Sequence, residues 1–194
     1  QEEKHMDAHI AKLRKKLKTK LSASRYEHSL SVSFTCVCLA MRYEYPLDKA
    51  ELAGLMHDCA KCVPNREKLK LCKKHKIHVS LSEERNPFLL HAKLGAYFAK
   101  KRYGVKDKEV LHAIQVHTTG EPEMNLLDKI LYIADYIEPN RDKAPDLAEV
   151  RRLAFEDLDK AMMKILSDTL DYLNERGGEL DPMTMKTYKY FKRL

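Results

Sequence analysis

The sequence of 194 residues has no tryptophan, only six glycines and seven prolines, no low-complexity tract and no internal repeat. Collagen-like and mucin-like chains are thereby excluded. A long apolar run is missing too: the stretch from Val32 to Met41 is broken by Ser33 and Thr35 and is about half of the ~20 residues that a membrane-crossing helix needs. No membrane protein is expected. The five cysteines, at 36, 38, 59, 62 and 72, are odd in number and follow no charged-then-apolar leader. They predict reduced thiols in a cytoplasmic protein.

What is present is a chain 44% hydrophobic and 34% charged. A chain of this length buries roughly 70% of its unfolded surface, so neither a disulfide nor a structural zinc is required, and one globular domain over residues 1–194 is expected. The net charge of +7 is unevenly spread: +4 over residues 1–20, −2 over 21–60, +6 over 61–78, +3 over 79–120, −5 over 121–160 and +1 over 161–194. Neither basic run carries an interleaved aromatic stripe or a recognised motif, so a nucleic-acid partner is not expected.

Apolar residues recur at three- and four-residue spacing and two-residue alternation is nearly absent, which predicts an all-α protein. Ile10, Leu13, Leu17 and Leu21 mark a first amphipathic helix. Ser24 and Glu27 form a capping-box pattern that opens a second, to about Tyr43; Asp48 and Glu51 repeat it and open a short helix ending near His57-Asp58. Further helices are expected over residues 66–76, 88–102, 107–117 and 125–138. A bent helix or two consecutive ones are expected over 146–176, and a terminal one over 182–194.

Nine histidines are present, and His28, the pair His57-Asp58, His91, His117 and Asp135 stand out because they sit on five different predicted helices. Residues so dispersed meet only inside a bundle. Adjacent imidazole and carboxylate at a helix end can turn toward one ion. Asp135 lies in the apolar string Leu131-Tyr-Ile-Ala-Asp135-Tyr-Ile, where an unpaired carboxylate would be costly; a metal or a salt bridge would each satisfy it.

The strings around these residues are Arg25-Tyr-Glu-His28-Ser, Ala53-Gly-Leu-Met-His57-Asp58-Cys-Ala-Lys61, His91 before Leu94-Gly95-Ala96, His117-Thr-Thr-Gly120 and Ala134-Asp135-Tyr-Ile-Glu-Pro139. In this order they resemble the HD-domain metal-dependent phosphohydrolase superfamily and, within it, the bacterial YqeK family, most strongly over residues 24–177. The resemblance implies a single-domain HD-type helical bundle with a binuclear metal site at its centre. It further implies symmetrical hydrolysis of diadenosine tetraphosphate to two ADP. Carried over position by position, His28, His57, Asp58 and Asp135 would hold one ion, and His91 and His117 would hold a second, with Asp58 bridging. Two divalent ions are implied, iron foremost, with manganese, zinc or magnesium as substitutes.

Phosphoanhydride hydrolysis needs a water that deprotonates easily, charge neutralisation and in-line geometry, and paired divalent ions provide the first two. Lys61, one turn after Asp58, is a candidate for catalysis and for phosphate contact. Arg25 and Arg141 are candidate phosphate contacts, and Thr118 and Thr119 candidate hydroxyl donors to the substrate. The same residues would serve another HD nucleotidase, a deoxynucleotide triphosphate hydrolase or a non-catalytic nucleotide-binding module. Cys59 and Cys62 lack the second pair that zinc would need and read as small buried thiols, Cys36 and Cys38 read as core, and Met162, Met163, Met183 and Met185 as gap fillers. His5, His9, His75, His78 and His112 read as surface or capping residues. Exposed apolar residues on the first helix would support a homodimer.

Overall fold

The computed structural model describes residues 2–175 and 177–194, with side chains from residue 8 onward. Among them are eleven α-helices and no strand. They are α1 (Glu2–Lys18), α2 (Ala23–Arg42), α3 (Leu47–Met56), α4 (Asn65–Lys74), α5 (Leu81–Arg85), α6 (Leu90–Arg102), α7 (Lys108–Val116), α8 (Leu126–Ile137), α9 (Leu147–Glu156), α10 (Leu158–Glu175) and α11 (Pro182–Phe191), with a 3-10 turn at Pro87–Leu89. No described helix is long and apolar enough to cross a membrane.

The centre is made by α2, α3, α7 and α8 packed on one another. The α2–α3 contact is unusually close because small residues face each other: a Cβ on Gly54 would lie 2.6 Å from Ser33 Cα, and the Ser33 hydroxyl donates to the Glu51 carbonyl at 2.9 Å. That approach sets the end of α3, hence His57-Asp58, against the start of α2. Helix α8 runs through the middle with Leu127, Ile130, Leu131, Ile133 and Ala134 completely buried. Each large apolar side chain removed from water in this way contributes about 1.5–3 kcal/mol.

Helix ends explain several boundaries. Asp107 accepts from the amides of Glu109 and Val110, and Asn125 and Asp128 form a reciprocal capping box at the start of α8, both where the residue pattern predicts a start. The α2 cap is Ser22, whose hydroxyl accepts from the Arg25 amide, instead of Ser24; Ser22 is the extended residue, and Ser24 is already inside the helix. Pro46 precedes α3 without a side-chain cap, so Asp48 serves only as an acidic first-turn residue. The 146–176 segment is two helices, parted where Asp157 turns extended with φ −155° and ψ 107°; Arg176 lies outside the described residues. Helix α5, with its Ser80–Glu83 capping box, is absent from the sequence-based expectation although its signature is present.

Two core assignments are corrected. Cys36 is buried but Cys38 is exposed, and of the 59/62 pair only Cys59 is buried. Ile10, Leu13 and Leu17 of α1, and Leu21 just after it, are all buried, so among its described side chains this helix offers no apolar stripe of the kind the homodimer expectation relied on.

Candidate metal centre

Five helices deliver the singled-out residues to one point. His28 comes from the first turns of α2, His57 and Asp58 from the end of α3, His91 from the start of α6, His117 from the end of α7 and Asp135 from the last turn of α8. The Asp58 carboxylate lies between the imidazoles. Its Oδ2 is 3.4 Å from His57 Nε2 and 3.7 Å from His28 Nε2, while its Oδ1 is 3.2 Å from His91 Nε2 and 3.7 Å from His117 Nε2. Asp135 Oδ1 stands 3.1 Å from His28 Nε2 and 3.8 Å from His57 Nε2. The residues fall into the groups His28/His57/Asp58, His57/His117/Asp135 and Asp58/His91/His117, each able to hold a metal ion.

The backbone fixes which imidazole nitrogen faces inward. His57 Nδ1 points at the Gly54 carbonyl at 2.7 Å, His117 Nδ1 at the Ile114 carbonyl at 2.7 Å, and His91 Nδ1 at the Phe88 carbonyl. A carbonyl only accepts, so Nδ1 carries the proton in each ring. His28 Nδ1 faces Glu138 Oε1 at 3.2 Å, with the same consequence. Four Nε2 atoms and two carboxylates are therefore directed at one another. His28 Nε2, His57 Nε2 and Asp58 Oδ1 are shielded from solvent and have no hydrogen-bond partner among the described residues. Such an arrangement calls for positive charge among these atoms, and the donor set, imidazole with carboxylate, fits divalent transition ions.

Protonation follows the same logic. Burial works to raise the Asp58 pKa, yet His57, His117 and His91 hold the carboxylate well below its ordinary range. At Asp135, burial is likewise outweighed by His28 and His57. Burial, opposed by Asp58 but reinforced by His117 and Lys61, pushes His91 down to about 4, so its inward nitrogen is free of a proton at neutral pH.

Basic residues border the centre. Arg25 Nη1 pairs with Asp58 Oδ2 at 2.7 Å, and Arg141 Nη2 with Asp135 Oδ1 at 2.8 Å. Lys61 Nζ donates to His91 Nε2 at 3.1 Å. A cleft of about 620 Å³ opens beside them, walled by Lys61, His91, His117, Thr118, Asp135 and Arg141 near the centre and by aromatic side chains farther out. Arg25 and Thr119 are not among its walls; the Thr119 hydroxyl donates instead to the Gly120 carbonyl at 3.0 Å.

Sequence reasoning missed Glu138. It is 2% exposed, and its carboxylate accepts from Ser31 Oγ at 2.6 Å and from the Asn140 amide at 2.8 Å while orienting His28. The signal was an acid directly before the proline that ends α8. A separate group, His112 between Asp128 at 3.0 Å and Glu121 at 2.9 Å, ties α7 to the start of α8.

The fold and the cage define an all-helical domain organised around histidine–aspartate metal-ligating groups. The HD domain model matches residues 25–140, and the chain belongs to the HD domain family, in its YqeK branch. It is 39% identical over 174 residues to the symmetrical bis(5'-nucleosyl)-tetraphosphatase of Bacillus subtilis, covering 90% of this chain and 92% of that one. It is 40% identical over 176 residues to the protein of the same name from Halalkalibacterium halodurans, covering 89% and 91%. A crystal structure from Clostridium acetobutylicum, described as a predicted HD superfamily hydrolase involved in NAD metabolism, superposes with a TM-score of 0.91. It is 40% identical and covers 94% of this chain and 96% of that one.

Proposed function

We propose that the protein is a symmetrical dinucleoside tetraphosphate hydrolase that cleaves diadenosine tetraphosphate into two ADP. The observation that carries this reading is the cage of inward-facing Nε2 and carboxylate atoms with no partner beside an open cleft. His28, His57, Asp58 and Asp135 would hold one divalent ion and His91, His117 and Asp58 a second, with iron as the resident metal. When bound, such ions supply an acidified water and positive charge for phosphoryl oxygens.

The chain's own groups set the rest. Asp58 turns Oδ2 toward His57 and His28 and Oδ1 toward His91 and His117, so it would serve both ligand groups. Lys61 and Arg141 border the cleft and would hold phosphate oxygens, with Arg25, already seated on Asp58, and the Thr118 hydroxyl as further contacts. Burial pushes the Cys59 thiol up to about 12, which keeps it unreactive and suits a reduced, cytoplasmic protein.

The test is to load the protein separately with ferrous, manganous, zinc and magnesium ions, incubate it with diadenosine tetraphosphate and resolve the products. ADP alone is expected. ATP with AMP would overturn the symmetrical cleavage, and absence of turnover with every ion would overturn the enzyme reading. His57→Ala is expected to be inactive.

A further inference from the structure

One wall of the cleft is a face of α10, where Ile165, Asp168, Thr169 and Tyr172 follow at helical spacing, and Tyr132 and Tyr136 of α8 line it too. Asp168 is 9% exposed. Its Oδ1 accepts from Lys164 Nζ at 2.7 Å, and Lys164 is held in turn by Asp146 at 2.6 Å. Its Oδ2 has no hydrogen-bond partner among the described residues. The neighbouring hydroxyl of Thr169 is committed to the Ile165 carbonyl at 2.7 Å.

A shielded carboxylate oxygen can only accept, and leaving it unpaired is costly. Asp168 lines the cleft, so a molecule that enters it can supply the missing donor. It cannot be phosphate, which the carboxylate repels toward the cationic end at Lys61 and Arg141. Phe88 and Tyr136 wall the same space and offer ring faces on which a base can stack. Burial and then the Asp168 charge push the Tyr136 phenol up to about 12, so that ring stays neutral beside the carboxylate. The cleft thus runs from a phosphate-attracting end to an aromatic end with one spare acceptor.

Resting on the proposed function, we propose that Asp168 is the nucleoside-recognising residue, accepting a hydrogen bond from an N–H or O–H of the nucleoside in one half of the substrate. Two groups have this chemistry, the exocyclic amine of adenine and the ribose hydroxyls.

Wild type, Asp168→Asn and Asp168→Leu are compared on three dinucleoside tetraphosphates: that of adenosine, that of purine riboside, which lacks the amine, and that of 2'-deoxyadenosine. The wild type is expected to lose roughly ten- to hundred-fold in kcat/KM on one of the two analogues, the size of a lost charge-assisted hydrogen bond. The analogue penalised identifies the donor. In Asp168→Leu the penalty should vanish, and in Asp168→Asn, which keeps an acceptor oxygen, part of it should return. Thermal melts check that each variant folds. Equal wild-type use of all three substrates overturns the inference, as does an unchanged penalty in a folded Asp168→Leu. If the wild type turns over none of them, the proposed function fails separately. Calorimetric binding of ADP, purine riboside diphosphate and 2'-deoxyADP to the wild type then tests Asp168 alone, and equal affinities sink it.

Discussion

Removing divalent ions should cost the protein much of its thermal stability, and the structure sets the scale. Three shielded polar atoms, His28 Nε2, His57 Nε2 and Asp58 Oδ1, have no partner even though Arg25 and Arg141 already pair with the two aspartates. Each such atom costs about 1–3 kcal/mol, so coordination can recover about 3–9 kcal/mol across the three. A domain of this size gains about 2–4 °C per kcal/mol. Even the low end therefore gives a rise of about 6–12 °C between chelated and loaded protein. Mass action gives a consistent figure: ion at a hundred times its Kd adds about 2.7 kcal/mol.

The assay is far-UV circular dichroism melting of chelator-treated protein titrated with each of four ions, with metal content measured in parallel. Asp58→Asn, which weakens the carboxylate common to two ligand groups, should lose most of the shift. His91→Ala should keep a smaller shift and fall from about two bound ions to about one, because the His28, His57, Asp58 and Asp135 group stays intact. Coincident melts for chelated protein and for protein loaded with each ion would refute the reasoning, since the inward lone pairs would then be satisfied in some other way.

Glu138→Gln should weaken metal binding about 10–100-fold with little change in fold, measured against a competing chelator, because it loosens the carboxylate that orients His28. Gly54→Ala should destabilise by about 3 kcal/mol, read as a lower denaturation midpoint. Its methyl meets α2 backbone at 2.6 Å, and since the Gly54 carbonyl orients His57, metal loading should fall too. For His112, burial works downward, but Asp128 and Glu121 raise its pKa above 6.5. Its protonated form therefore stabilises the fold fully below that value, and the contribution is lost as pH rises through the folded pKa. The Tm gap between wild type and His112→Gln should be widest in mildly acidic buffer and narrow as pH rises; a gap independent of pH would contradict the pair.

The helical class and most boundaries were legible because apolar spacing and caps such as Asp107 and Asn125 are local signals. What misled was competition between equally good local signals: Ser22 and Ser24 can each cap α2, and only the extended backbone at Ser22 decides. The side of a helix that faces solvent was also out of reach at Cys36 and Cys38, two residues apart, where one is buried and the other exposed. Of the cage, the histidines and aspartates were legible through their strings. The carbonyls of Gly54, Phe88 and Ile114 were not, because a backbone partner leaves no residue-type signature, and they are what turns each Nε2 inward.

The question left open at Asp135 by its sequence, salt bridge or metal, resolves in an instructive way. Arg141 provides the bridge, which would have sufficed for a lone carboxylate. It does nothing for His57 Nε2, which is shielded, turned inward by the bond of Nδ1 to the Gly54 carbonyl, and without a partner among the described residues. Charge counting along the chain fails at the same place. The block of +6 over residues 61–78 contributes only Lys61 to the cleft, with Lys68 turned inward onto Asn65. The arginines touching the cage come from the two acidic stretches, 21–60 and 121–160. Regional charge averages over all faces of a helix, whereas a site selects one face, so the cations that matter are found by their carboxylate partners rather than by their density in the sequence.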